Sequence, residues 1–289
     1  MEFILLNDSK YENTEKNNGD CMFFNDNGNM YVYDCGCEEH AEKVIKYAKD
    51  NGIEKFDVIL SHNDSDHFDG IDRLIEENMV NSVITMLLLK HKGDILKRID
   101  DKRRTKESVS EHILEKYANI ASLSGKVKLV DGYEFENTEN IKFVGPDYEY
   151  MIDAVAKRLD GREGNELDGD TAVNATSLQF SIKCGENNIL LTGDATYESI
   201  KNNLDSHNII QLPHHGKPKT AEKIFTHNSA REDRNFITYL VSDNTGNTNG
   251  GSEELNAKGK KVKNTRISDE DITISSSERV LNIKSNLGV

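Results

Sequence analysis

Four side chains able to bind a metal ion fall within six residues of this chain: His62, Asp64, Asp66 and His67. Imidazole nitrogen and carboxylate oxygen suit zinc, and a set richer in oxygen also suits manganese. One short loop cannot easily wrap four such groups around a single tetrahedral ion. It can divide them between two ions, with His62 and Asp64 on one side and Asp66 and His67 on the other. Two later stretches offer the same chemistry, Thr192-Gly193-Asp194 and His214-His215-Gly216, the latter followed by Lys217. Either alone reads as an ordinary turn; three such stretches in one chain point to one site. The other histidines, His40, His91, His112, His207 and His227, have no ligand-like company and read as surface or core residues.

Positioning those groups requires rigid elements on either side. Phe56-Asp57-Val58-Ile59-Leu60 is a short apolar run expected to be a buried strand, and Ile71, Leu74 and Ile75 recur at helical spacing after Gly70. The ligand-rich stretch is therefore predicted to be a strand-to-helix loop. Ile189-Leu190-Leu191 and Ile209-Ile210 to Leu212 are strands leading into the other two stretches. Upstream, Cys21 to Phe24 and Met30 to Tyr33 form a hairpin, and Ala41, Val44, Ile45 and Ala48 a helix that Gly52 stops. Val83 to Leu89 reads as a strand. Residues 90–125 form a helical, charged insertion containing Lys97, Arg98, Lys102, Arg103, Arg104 and Lys106, read first as a solvated face and second as a phosphate-binding patch. The stretch from Arg162 to Asp170, acidic and glycine-rich, reads as an exposed loop. Strands flanked by helices in both halves predict an α+β fold, an αββα four-layer sandwich, as one domain over 1–289.

The composition narrows the function classes. At 289 residues the chain can bury a full core, and its net charge of -15 argues against a broad electropositive nucleic-acid surface while leaving room for a local groove. A mean hydropathy of -0.67, with no apolar run long enough to span a bilayer and no export signal at Met1-Glu2-Phe3, predicts a cytoplasmic protein without a membrane partner. Cys21, Cys35, Cys37 and Cys184 lack the spacing of a zinc knuckle or a redox pair and are expected to be reduced thiols.

The three ligand stretches in this order resemble the metallo-β-lactamase superfamily, and within it the hydrolase domain of the ComEC-type DNA-uptake competence proteins. Gly19-Asp20-Cys21 with Tyr33-Asp34-Cys35-Gly36 is similar to that family's opening hairpin, Val144-Gly145-Pro146 to its gP turn, and Asn174-Ala175-Thr176-Ser177-Leu178 to its NxxSL strand. The resemblance implies two divalent ions, zinc or manganese. His62 and Asp64 would hold one, Asp66, His67 and His215 the other, and Asp194 would bridge them. His214 would face the substrate, with His214 and His215 interchangeable in these roles. Asp66 would also orient a metal-bridging hydroxide, and His214 or Lys217 would balance charge on a phosphate. Two departures from the family stand out. Asn174 occupies the neighbourhood of a further histidine ligand, and Asn249-Gly250-Gly251-Ser252 stands where a Gly-His-Pro segment is usual.

The implied function is a phosphodiesterase or nuclease acting on DNA or RNA. The alternatives are a small-molecule hydrolase for an ester, thioester or phosphorylcholine ester, and an effector subunit active only with a protein partner such as an ATPase of a defence or repair complex.

Overall fold

Side chains on a strand alternate between its faces, and in the first hairpin that alternation already defines two layers. In the computed structural model, which describes residues 1–7, 17–160, 166–167, 170–246, 251–268 and 270–276, β2 (Met22–Asp26) pairs with β3 (Asn29–Tyr33). Phe23 faces the helix Glu38–Asp50 and packs on Tyr47 at 4.6 Å between ring centroids, while Tyr33 points the other way. The Tyr33 hydroxyl donates to the Leu178 carbonyl at 2.7 Å, joining the two sheets.

The first sheet adds β1 (Glu2–Leu5), β4 (Phe56–Ile59), β5 (Val80–Thr85), β6 (Lys128–Asp131) and, from the far end of the described chain, β15 (Ile272–Ser275). Its order is β15-β1-β2-β3-β4-β5-β6. The second contains β7 (Ile141–Gly145), β10 (Gln179–Cys184), β11 (Asn187–Leu191), β12 (Ile209–Gln211), β13 (Thr238–Val241) and β14 (Lys261–Asn264), ordered β14-β13-β12-β11-β10-β7. A separate two-stranded ladder joins β8 (Glu166–Leu167) to β9 (Asp170–Thr171).

Phe24, Phe180, Ile182, Ile189 and Leu191 belong to one core between the sheets, and Phe135 meets Phe180 edge-on at 5.1 Å. Leu190, Ile210, Tyr239 and Val241 face the opposite way, onto Ala221, Ile224 and Phe225 of the helix Pro218–Ser229. Helix, sheet, sheet and helix therefore stack as the four-layer sandwich expected from the sequence. All four cysteines are buried and none forms a disulfide.

Between β5 and β6 the expected insertion is three helices, Leu88–Arg98, Lys106–Lys116 and Ala118–Ser122. Thr105 opens the second with a capping box: its hydroxyl accepts from Ser108 N–H while Ser108 Oγ accepts in return. The apolar run Val83 to Leu89 is not one strand. It leaves the sheet after Thr85 and enters a helix at Leu88, because Leu88 and Ile95 bury against the core from helical positions. β14 was not foreseen; Lys-Val-Lys-Asn has only one apolar residue and pairs as a parallel edge strand.

The order of strands brings chemistry to one rim. β3, β4, β5 and β6 run parallel, as do β11, β12, β13 and β14. Asp34 follows β3, His62 follows β4, Asp194 follows β11 and His214 follows β12. Each lies just beyond the carboxyl end of its strand, where loops are free to carry polar groups.

Candidate metal centre

The residues after β4 fall on two local structures. His62, Asn63 and Asp64 remain on an extended loop, and Asp66 and His67 turn onto the one-turn helix Ser65–Phe68. That turn is locked by close backbone packing. The carbonyl oxygen of Asp66 accepts from Asp20 N–H at 3.1 Å, and a Cβ at Gly19 or Gly36 would lie 1.5 or 2.2 Å from the same oxygen. Only glycine admits such an approach, and the φ of +73° at Gly19 reinforces the choice.

Four imidazoles point their Nε2 atoms inward because oxygen atoms hold their Nδ1 atoms. His67 Nδ1 lies 2.8 Å from Asp34 Oδ2, and His214 Nδ1 lies 2.8 Å from Asp170 Oδ2. His215 Nδ1 donates to the Ser242 carbonyl at 3.0 Å and lies 3.3 Å from Asp20. His62 Nδ1 lies 2.9 Å from Ser61 Oγ and 3.3 Å from Ser177 Oγ. Fixing one ring nitrogen in this way orients the other as an acceptor, the arrangement by which proteins prepare histidine for a metal.

The inward atoms gather on Asp194. Its Oδ1 lies 3.3 Å from His67 Nε2, while its Oδ2 lies 3.9 Å from His62 Nε2 and 3.6 Å from His214 Nε2. Asp64 Oδ2 is 3.5 Å from His62 Nε2, and Asp66 Oδ2 is 3.0 Å from His215 Nε2. His62 with His67 and Asp194, and Asp66 with His67 and His215, form buried groups compact enough to hold a cation. His62 Nε2, His67 Nε2 and Asp194 Oδ1 are sealed from solvent with no hydrogen-bond partner. Buried polar atoms left this way are costly, and an ion among them removes the cost.

The electrostatics agree. Burial pushes the Asp194 carboxyl up, but the fields of His214, His67 and His215 outweigh it and hold the group well below the usual carboxylate range. Burial pushes His67 and His215 down, and Asp194 with the neighbouring aspartates raises both well above an ordinary imidazole. The carboxylates thus draw positive charge to this point. Nitrogen and oxygen donors of this kind fit a divalent ion.

His214 and His215 reach the centre through a strained turn, with φ of 54° and 55°. Such left-handed backbone in a residue with a Cβ needs support from its surroundings. Both histidines face inward, so the sequence alternatives for them do not exclude each other. Lys217 Nζ lies 3.0 Å from Asp170 Oδ2. Asn174 does not turn toward the centre: its Oδ1 accepts from Thr171 Oγ1 at 2.7 Å and its Nδ2 donates to Asp170 Oδ1 at 2.9 Å.

Asp170, assigned by sequence to an exposed loop, is buried; residues 162–165 and 168–169 of that loop lie outside the described residues, as do Asn249 and Gly250. The supporting residues Asn17, Asp20, Asp34 and Asp170 were missed as site residues. Asn17 Nδ2 donates to Asp66 Oδ2. Only the Gly19-Asp20 and Tyr33-Asp34 hairpin pattern carried a signal for any of them. Of the five remaining histidines, His91 pairs with Asp131, His207 with Asn203 and Ser181, and His227 with Asp205.

A sequence model of the metallo-beta-lactamase superfamily matches residues 15–228. No curated protein matches the chain. Similar solved structures include YhfI of Bacillus subtilis, a metallo-beta-lactamase fold protein, at 12% identity over 73% of this chain and 70% of that one, with a TM-score of 0.40. The short form of human tRNase Z is 12% identical over 95% of this chain and 99% of that one, TM-score 0.45. Igni18, a metallo hydrolase from Ignicoccus hospitalis, is 12% identical over the same shares, TM-score 0.46. Likenesses this distant carry no argument about substrate.

Proposed function

The chain belongs to the metallo-beta-lactamase superfamily, and from that premise we propose a dinuclear metal-dependent phosphodiesterase whose substrate is nucleic acid. The observation that carries the metal reading is the convergence of imidazole Nε2 atoms on both oxygens of Asp194, with His62 Nε2, His67 Nε2 and Asp194 Oδ1 buried without hydrogen-bond partners. The two carboxylate oxygens divide the ligands. Asp194 Oδ2 with His62, Asp64 and His214 would hold one ion; Asp194 Oδ1 with Asp66, His67 and His215 would hold the other. On this division His214 takes the place of the histidine that the family usually supplies near Asn174, whose amide is occupied.

When bound, the ions would supply a water nucleophile of lowered pKa and a Lewis acid for a phosphoryl oxygen. The chain's own groups do the rest. Asp34, Asp170 and the Ser242 carbonyl hold three imidazoles in one tautomer. Asp66, fixed by Asn17 and His215, can accept a proton from the nucleophile. Lys217, at the start of the helix Pro218–Ser229, brings a cation next to His214 where a diester anion would lie. The ComEC-type motif set supports nucleic acid as the substrate class.

Purified protein loaded with manganese or zinc should cleave DNA, RNA or a chromogenic phosphodiester, and Asp194→Ala should not. Cleavage of none of the three by the wild type would overturn the phosphodiesterase reading. A second reading, a small-molecule ester hydrolase, is favoured by one feature: an apolar cavity of about 290 Å³ lined by residues including Met86, Leu88, Ile113, Leu114, Tyr117 and Ile120. Turnover of an apolar carboxylic ester with no diester cleavage would select it.

A further inference from the structure

Three of the six basic residues between Lys97 and Lys106 are neutralised by the fold. Lys97 Nζ lies 2.6 Å from Asp94, Arg103 reaches both oxygens of Asp101, and Arg98 pairs with Glu149 and Asp153. Arg104 turns inward instead. Its Nη2 lies 3.2 Å from His112 Nδ1 and 3.4 Å from the Ser108 carbonyl, which accepts from it. Arg158 comes from the helix Tyr148–Asp160, whose Asp160 Oδ1 accepts from Asp101 N–H at 3.4 Å; burial together with Arg104, Lys116 and Arg158, opposed by Glu115, holds His112 below its ordinary value.

The Nε atoms of Arg104 and Arg158 are both sealed from solvent with no acceptor. Among the described residues, neither guanidinium has a carboxylate within ion-pair distance, in a chain carrying 51 acidic against 36 basic side chains. A guanidinium stays charged at any accessible pH and offers five donors in a planar fork. Two such forks, half-buried and with no counterion among the described residues, are what an anion site requires. His112 adds a donor: with Nδ1 facing Arg104, the neutral ring carries its proton on Nε2.

We propose that Arg104 and Arg158, together with His112, form a subsite for a phosphate group. A phosphate oxygen set can accept from all three side chains, where a carboxylate has two oxygens to share. The helix that carries His112 is tied to the loop of the metal centre. Asn119 Nδ2 donates to the Asn63 carbonyl at 3.0 Å, and Asn63 Nδ2 to the Lys116 carbonyl at 3.1 Å, so the end of the helix Lys106–Lys116 is fastened to the loop between His62 and Asp64. Tyr117, beside it, lies within the fields of both Arg158 and Asp64. Asp64 is also the most exposed of the candidate ligands, its side chain 45% accessible, so the centre opens on this side. The occupant, a neighbouring phosphate of a strand whose scissile phosphate sits at the metals, rests on the phosphodiesterase reading; the anion site itself does not.

The test is calorimetric titration of inorganic phosphate into the metal-loaded full chain, comparing wild type, Arg158→Gln and Arg104→Gln, with circular dichroism to establish that each variant is folded. A binding event at the metals would be common to all three. The wild type should show a second event that is about tenfold or more weaker in each variant. Superposable isotherms overturn the subsite. The variants should also raise KM for a short oligonucleotide at least about tenfold more than KM for a chromogenic diester, which has no second phosphate. If the isotherms differ but wild type cleaves neither substrate, the phosphodiesterase reading fails and the anion site stands. If wild type cleaves both while isotherms and KM ratios match across the three proteins, the anion site fails and the enzyme reading stands.

Discussion

Asp34 Oδ2 lies 2.8 Å from His67 Nδ1, with both side chains fully buried, and the same carboxylate accepts from the backbone N–H and the hydroxyl of Ser61, each at 2.7 Å. One carboxylate thus fixes the ring of His67 and the start of the loop that carries His62. Asp34→Asn keeps the shape but presents an amide that must choose between donating and accepting. Removing an outer partner of this kind costs about 10–100-fold in metal affinity. Competition with a chelator, comparing wild type and variant, measures it; equal affinities would remove Asp34 from the site.

His214 separates two roles by stoichiometry. As a ligand with His62 and Asp64, its loss in His214→Ala should leave about one tightly held ion per chain where wild type holds two. As a substrate-facing group, its loss would leave two. Elemental analysis of protein freed of loosely bound metal decides between them.

Chelation should lower thermal stability, because it returns buried His62, His67 and Asp194 to their unpartnered state. Each ion present at a hundredfold excess over its dissociation constant contributes about 2.7 kcal/mol. Melting with and without chelator should show the drop in wild type and almost none in Asp194→Ala. An unchanged wild-type transition would mean that the folded chain gains nothing from metal.

His40, which is not a candidate ligand, gives a further pH dependence. Burial, with Lys43 adding to it and Asp20 opposing, lowers its pKa from about 6.5 to about 3. The folded chain keeps the ring neutral while the unfolded chain protonates it. The His40 contribution is therefore fully present above about pH 6.5 and is lost progressively as pH falls toward 3. At pH 5.5 the loss is about 1.4 kcal/mol relative to pH 8. Denaturant unfolding across that range should show this slope reduced in His40→Asn.

The candidate ligands were legible in the sequence because each sits just beyond a short apolar strand, a local pattern. It could not reveal the residues that aim them. Asp34 lies 33 residues from His67, and Asp170 lies 44 from His214, so their pairing exists only after both sheets have formed. The same limit applied to the basic run: Arg98 is neutralised by Glu149, 51 residues on, which no window around Arg98 contains. At Val83 to Leu89, hydrophobicity reported burial correctly but not the switch from strand to helix within it.

The hydrogen bond from His215 to Asp66 spans 149 residues, and the sheet that carries Asp66 is flanked by β15 against β1. A nascent chain that has emerged only as far as β11 holds His62, Asp64, Asp66 and His67 and neither of the two later segments that close them. Bringing such distant segments together carries a loop-closure entropy that local contacts do not repay. During synthesis the early loop is thus an open group of donors, exposed to whatever cations the surroundings offer, and selectivity among metals is expected to arise only when the last segments dock.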